Sequence, residues 1–505
     1  MIWNLLLLVV LFLLWLSRRS NKNIMKVYKE IGSGFKKMPL VGHTYLLLGN
    51  DEDRMKGFQM IGNDAIKRGG MSCYWHGNRL FVVSVDPVEL DVILKNCLEK
   101  DDLMKFSRIL TGNGSIFAPV NIWHRRRKLL NPHFGTKNQN NFMKTFIKQS
   151  AVLVDNLRKE ADNGTFSVWD YLTAYTLDSV CEATLGVQMN SQAHSNLEFL
   201  RSFDVCSSLG AARICQPWLH SDIIYHRLQR YKTYQKNTEY VLDFVKQIVQ
   251  SKRRQVENEP DSKTQCDKQI PTSDNGMKTV LELLILNKTF NDVELQEEAF
   301  VMIIAGTDTS AIGISFTLLM LARYPDVQEK VYQEIQELFG DSERPPEVED
   351  IHRLLYLDAV IKEAMRLYPP APVIIRKVER ETKLPSGLIL PRDIGILIPI
   401  WSVNRNPKYW GDDADVFRPE RFLDGTKRHP TAFMTFSQGP RACLGFKFAM
   451  NSAKAALASI LRHYRIKPPS ELTSMSPGQY PPIRVKFALM TRDVDNFRIQ
   501  LESRS

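Results

Sequence analysis

The stretch Phe436-Ser437-Gln438-Gly439-Pro440-Arg441-Ala442-Cys443-Leu444-Gly445 decides how the rest of the chain is read. Gly439 and Gly445 flank the cysteine, so the backbone can turn tightly there and approach a flat ligand closely. The residues that follow, FKFAMNSAKAALASIL from Phe446 to Leu461, form an Ala-rich helical pattern. Cys443 is therefore expected just before a helix N-terminus, where unpaired N–H groups and the helix dipole favour a thiolate. Arg441 brings a cation toward an anionic group of whatever binds here. A thiolate beside a glycine-lined platform suits an axial haem ligand, where sulfur pushes electron density onto iron and favours O–O cleavage. A zinc site needs more ligands nearby and a catalytic nucleophile needs a histidine; neither is evident in this loop.

Outward from the loop, the chain has 505 residues, 44% hydrophobic and 24% charged. That is ordinary globular usage and excludes a disordered, collagenous, coiled-coil or polytopic membrane protein. An excess of basic residues, 67 against 56 acidic, gives a net charge of +11 and calls for an anionic partner: nucleic acid, a membrane surface or an acidic protein. No nucleic-acid motif is present. The 7 cysteines are few, odd in number and without a CxxC pair, which fits a reducing, cytosol-facing compartment. At the N-terminus, Ile2–Leu16 is apolar except for Asn4, and Arg18, Arg19, Lys22 and Lys26 follow at once. A cleaved signal peptide has the reverse order. Residues 1–20 are expected to be a signal-anchor helix, with residues 21–505 one catalytic body on the cytoplasmic side.

Helical periodicity dominates from Asp86 to Leu461, with short strands expected at Phe81–Val85, Val373–Val378, Leu388–Leu390, Gly395–Ile400 and Ile483–Leu489. The polar stretch Ser251–Lys278 reads as a solvated loop. The fold class is mainly α with small β-sheets, an α+β body. Glu363 and Arg366 stand at i,i+3 on one helix face, and Pro369 and Pro370 end that helix. Ala305-Gly306-Thr307-Asp308-Thr309-Ser310 lies in an apolar helix expected to run from an Asp292 N-cap to before Pro325. Glycine and hydroxylated residues are expensive there as packing, and a groove for O₂ with a proton relay gives them a reason. Ala305 and Thr309 share a face, and Gly306 is expected to let that face come close to a haem. Trp123 and Arg127 are similarly spaced within Trp123-His124-Arg125-Arg126-Arg127-Lys128.

The spacing F-x-x-G-x-R-x-C-x-G resembles the haem-binding loop of the cytochrome P-450 family, and the other constellations follow in that family's order. The resemblance implies Cys443 as axial ligand of the iron of a non-covalent haem b, with Phe436, Gly439, Arg441 and Gly445 around it. It implies a buried network of Glu363, Arg366 and Arg421, the last from Phe417-Arg418-Pro419-Glu420-Arg421-Phe422. Trp123, Arg127 and Arg376 would reach haem propionates, Ala305 would face the ring, Thr309 would hydrogen-bond oxygen at the iron, and Asp308 would bring protons. Leu110–Val120, Val373–Ile375 and Met302–Ile304 would line an apolar substrate pocket.

PWLHSDIIYHRL (217–228) and the pattern KTVLELLIL (278–286) look like the clan of fatty-acid ω-hydroxylases and its insect relatives. Ala305 stands where many of those enzymes carry a glutamate that esterifies the haem, so a covalent link by that route is not expected. The Pro-rich hinge usual after the anchor is reduced to Pro39 and Gly42.

The implied activity is a monooxygenase of the endoplasmic reticulum membrane, acting on a lipophilic substrate (fatty acid, hormone, odorant or xenobiotic) with O₂. Electrons would come from NADPH through a flavoprotein reductase, with cytochrome b5 as a further partner. Arg125, Arg126, Lys128 and Lys447 would form the reductase-docking surface. Two alternatives stand beside it: a haem-thiolate isomerase or lyase that does not use O₂, and a non-enzymatic haem sensor or carrier.

Overall fold

The frame is set by one long helix, Asp292–Arg323, apolar on nearly every side and therefore surrounded by other helices. The computed structural model that shows this describes residues 22–504 apart from 195–196, 259–277, 341, 343 and 476–478. The expected anchor, Ile2–Leu16, lies outside the described residues. The central helix begins one residue earlier in its cap than expected. Asn291, not Asp292, accepts from the Glu294 amide at 2.9 Å, and the Glu294 carboxylate accepts from the Asn291 amide at 3.1 Å. This reciprocal capping box leaves Asp292 as the first helical residue. Pro325 opens the next helix, Pro325–Phe339, and its ring keeps Tyr324 out of the helical region.

Around this rod pack Trp169–Val180, Gln229–Asn258, Leu355–Leu367 and Phe446–His463, the last being the Ala-rich helix after the cysteine loop. Small alanines along Phe446–His463 let it sit deep in the core, where Ala453, Ala455 and Ala456 are fully buried. At Gly306 a Cβ would stand 2.4 Å from Cγ2 of Val180, so the missing side chain admits the helix Trp169–Val180. The helix Gln229–Asn258 also runs past the expected start of the polar loop at Ser251, because Val256 is still buried against the core. The rest of that loop, 259–277, lies outside the described residues.

A five-stranded sheet flanks the helices in the order Met71–His76, Arg79–Ser84, Gly395–Ile398, Ile374–Lys377, Glu99–Lys100. Its register pairs Lys100 with Arg376 and Glu99 with Lys377, which places two cations side by side at one sheet edge. A C-terminal hairpin, Val485–Ala488 and Met490–Asp493, turns at Leu489 with φ 63° and reaches into the middle of the molecule. Phe166–Ser167, Arg498–Ser503 and Tyr464–Lys467 form a smaller sheet that closes the C-terminal end.

Candidate cofactor site and cavity

The cysteine loop is a tight turn locked from inside. The Cys443 amide donates to the Phe436 carbonyl at 2.8 Å, and the Ser437 amide to the Met434 carbonyl at 2.8 Å. Gly439 has φ +75°, and a Cβ there would stand 2.9 Å from the Leu94 carbonyl, so glycine is required on both counts. Gly445 needs no unusual φ; its backbone lies beside Cys443, where a Cβ would come 4.0 Å from the sulfur. The Phe436 ring meets Phe446 edge-on at 4.6 Å, tying the loop to the first residue of the following helix.

Among the described cysteines all are free, five are buried, and Cys443 alone is exposed. Protein atoms nevertheless crowd its sulfur, and desolvation pushes the thiol pKa up, against a lowering by the Gly445 N–H and Arg127.

Behind the loop lies the expected buried network. Arg366 forks onto Glu363 with Nε–Oε2 at 2.7 Å and Nη2–Oε1 at 2.8 Å. Arg421 Nε reaches Glu363 Oε1 at 3.3 Å, and all three side chains are fully buried. Arg366 Nη1 also donates to the Asn404 and Ala414 carbonyls. Asn404, which nothing in the sequence singled out, carries the link onward. Its Oδ1 accepts from the Met434 amide at 2.8 Å, and its Nδ2 donates to Thr435 at 3.0 Å. The network therefore grips the loop two residues before Phe436.

The expected propionate cations split into two kinds. Arg376 and Arg441 are buried, and desolvation drives their pKa values down to about 10 and about 9. Arg376 Nε has no partner, and its one other contact is a long bond to its neighbour's carbonyl at 3.3 Å. Arg441 lies over the Trp123 ring at 4.2 Å and donates to the Leu98 and Ala118 carbonyls. Arg127 is partly buried, and desolvation lowers its pKa too. Lys100, missed by sequence reasoning, joins this group through its pairing with Arg376.

Arg126 departs from expectation. It is buried, with Glu297 at 2.6 Å and Glu298 at 2.9 Å, and its Nη1 donates to the Asn113 carbonyl at 2.7 Å. It pins the loop before Val120–Leu130 to the central helix and is not surface charge. Arg125 pairs with Glu294, while Lys128 and Lys447 remain exposed.

A cavity of about 210 Å³ opens beside Ala305, Asp308 and Thr309. Its wall is mostly apolar, with Leu110, Phe117, Val373, Ile375 and Ile304 among the expected lining, joined by Phe487 and Leu489 of the hairpin. Met302 is buried away from it. Thr309 Oγ1 donates to the Ala305 carbonyl at 2.6 Å. Asp308 is buried against Arg492, which also holds Asp204 at 2.9 Å. Desolvation and Asp204 raise the Asp308 pKa, against a lowering by Arg492.

A protein-family model for cytochrome P450 matches residues 33–485. The chain belongs to the cytochrome P450 family. This P450 is 29% identical to cytochrome P450 4d2 of Drosophila melanogaster over 92% of its own length and 93% of the relative's. It is 30% identical to human cytochrome P450 4V2 over 85% of its length and 83% of the relative's. Cytochrome P450 4c21 of Blattella germanica is 28% identical over 86% and 87%. The chain is accordingly a haem-thiolate monooxygenase that uses haem b, O₂ and electrons delivered from NADPH through a reductase to oxidise a lipophilic substrate.

The P450 residues present fit a haem. Two buried guanidiniums without a carboxylate partner match the propionates of a dianionic porphyrin, and a glycine-lined turn that admits a flat ring carries Cys443, the one exposed thiol among the described cysteines.

Proposed function

We propose that Cys443 Sγ is the axial ligand of the haem iron, with Phe436, Gly439 and Gly445 shaping the pocket around the sulfur. With haem bound, Trp123, Arg127, Arg376 and Arg441 would hold the propionates, and Ala305 would face the ring. The observation that carries this reading is the pair of buried cations without a carboxylate partner, Arg376 and Arg441, the latter two residues before Cys443, which alone among the described cysteines is exposed. When bound, the haem activates O₂ so that one oxygen atom enters a C–H or C=C bond and the other leaves as water. That balance needs two protons, and the cavity wall has a route for them. Asp308 carries a proton at its carboxyl more readily than an ordinary aspartate, because burial raises its pKa. Thr309 Oγ1, now donating to the Ala305 carbonyl, passes a proton into the cavity when it rotates. The apolar wall excludes water and favours a lipophilic substrate.

The test is spectroscopic. The reduced, CO-bound protein is expected to show the thiolate signature, and Cys443→Ser to lose it; a signature that survives the substitution refutes the ligand assignment. Thr309→Ala is expected to keep the signature while diverting electrons from product to hydrogen peroxide, measured as product formed per NADPH consumed.

Residues 1–20 act as a signal anchor, and residues 21–505 as the catalytic body on the cytoplasmic face of the endoplasmic reticulum. Exposed apolar side chains support a membrane-facing surface: Leu40, Val41, Trp218, Ile223 and Ile224. Gly77 brings the two segments together, since a Cβ there would stand 3.7 Å from both the Leu40 carbonyl and Pro217. Lys128 and Lys447 form the face for an acidic NADPH-dependent flavoprotein reductase and for cytochrome b5, so reduction of this P450 is expected to slow with rising salt.

A further inference from the structure

We propose that one wall of the cavity is a subsite for an uncharged oxygen of a lipophilic substrate, a hydroxyl, carbonyl or ester group, recognised by Ser107 Oγ, Tyr234 Oη and His76 Nε2. It rests on the monooxygenase reading and names the substrate class for that site. All three residues line the cavity, and all three are more than nine-tenths buried. Each has a buried polar atom without a hydrogen-bond partner. The Ile214 carbonyl and the Thr238 hydroxyl lie near His76 and Tyr234 but outside hydrogen-bond geometry. A buried polar atom left unpaired costs stability that only a partner arriving later returns.

The three belong to one neighbourhood. The His76 ring lies 5.5 Å from His220, and His220 lies 4.8 Å from Phe106, the residue before Ser107. Arg213 covers Phe106 at 4.5 Å and Tyr225 at 3.9 Å. Cys206, on the helix that carries Arg213, has its sulfur 3.9 Å from the Tyr234 carbonyl.

Charge at this wall selects a neutral ligand. Burial holds the His76 pKa down at about 3, so the imidazole is neutral. Arg213 is occupied by Asp222 and the Leu219 carbonyl. Asp308 is occupied by Arg492, and Lys100, which also lines the cavity, lies beside Arg376 on the central sheet. A carboxylate arriving among Ser107, Tyr234 and His76 would be buried without a counter-ion. A hydroxyl or carbonyl can pair with these groups, because the serine and tyrosine hydroxyls both donate and accept and a neutral imidazole nitrogen does one or the other.

Three probes of equal chain length decide the matter: 1-dodecanol, dodecane and dodecanoate, titrated into the haem-loaded full chain. Two readouts are taken, the ligand-induced shift of the haem spectrum and equilibrium dialysis of radiolabelled ligand. The dialysis measures binding whether or not Cys443 ligates iron, so failure of the haem reading and failure of the subsite remain distinguishable. 1-Dodecanol is expected to bind about 10-fold more tightly than dodecane, as one or two net hydrogen bonds provide, and more tightly than dodecanoate. In Ser107→Ala/Tyr234→Phe the advantage of the alcohol over the alkane is expected to vanish while dodecane affinity holds. Equal binding of alcohol and alkane by the unaltered protein would overturn the subsite, since water would then satisfy these atoms. Tightest binding by dodecanoate, or variants that weaken alcohol and alkane alike, would also overturn it.

Discussion

Arg492 holds two carboxylates at once, Asp308 on the central helix and Asp204 on Leu197–Cys215, with its guanidinium 4.3 Å from the Trp169 ring. Removing it leaves Asp308 buried with no counter-charge. Arg492→Ala is expected to cost roughly 3–5 kcal/mol in urea unfolding, the usual penalty for stranding one member of a buried pair. Arg492→Ala/Asp308→Asn should recover much of that loss; no recovery would mean that Arg492 acts through Trp169 packing instead. Asp308 was legible in the sequence because a carboxylate inside an apolar helix is conspicuous. Arg492 was not, since it lies 184 residues away in a hairpin whose pattern says nothing about its partner. Cys443 stood out in the sequence by its flanking glycines, but the carbonyls that lock its turn, Phe436 and Met434, did not.

At the scale of elements, periodicity and end signals found the long helices, and alternation found the strands of the central sheet near Phe81, Ile375 and Ile396. Pairs such as Glu99–Lys100 and Phe166–Ser167 are two residues long and exist through their partners, so no local pattern announces them. Gly306 was recognised as exceptional, but its neighbour Val180 was not, because helical spacing gives a face and not what stands against it. Gly306→Ala is expected to cost about 1–3 kcal/mol by overpacking against Val180. Trimming the neighbour in Gly306→Ala/Val180→Ala should return part of it, read from urea midpoints; a neutral Gly306→Ala would show that the helices separate freely. Glu363→Ala leaves two buried guanidiniums facing each other. It should cost roughly 3–5 kcal/mol and lower haem content, since the same network reaches Met434 and Thr435 through Asn404.

The whole molecule carries a pH response that follows from its core. Burial lowers the pKa of His43 to about 4 and of His76 to about 3, well below the value in an unfolded chain. Between those values and the unfolded one, the unfolded state binds more protons, so stability falls as pH falls. His43 alone should account for about 2 kcal/mol of loss between about pH 7 and about pH 5. The raised carboxyls of Glu298 and Asp308 work in the opposite direction. Urea titrations at both pH values should therefore show a smaller drop for His43→Phe than for the unaltered chain, and an equal drop would exclude His43 as a source.

One further property follows from how the segment before Val120–Leu130 is fastened. Its carbonyls at Asn113, Ser115, Phe117 and Ala118 accept from Arg126, Arg441, Arg108 and Arg441. Its amides at Asn113, Ser115 and Val120 donate to Glu297, Glu298 and Glu99. These bonds take hold of the main chain, while the side chains of Ile116 and Phe117 point their bulk at the cavity. Those two positions can therefore be exchanged over generations without loosening the segment that bears them. Substrate preference can drift quickly in a lineage of such proteins while the cofactor cradle beneath it stands still.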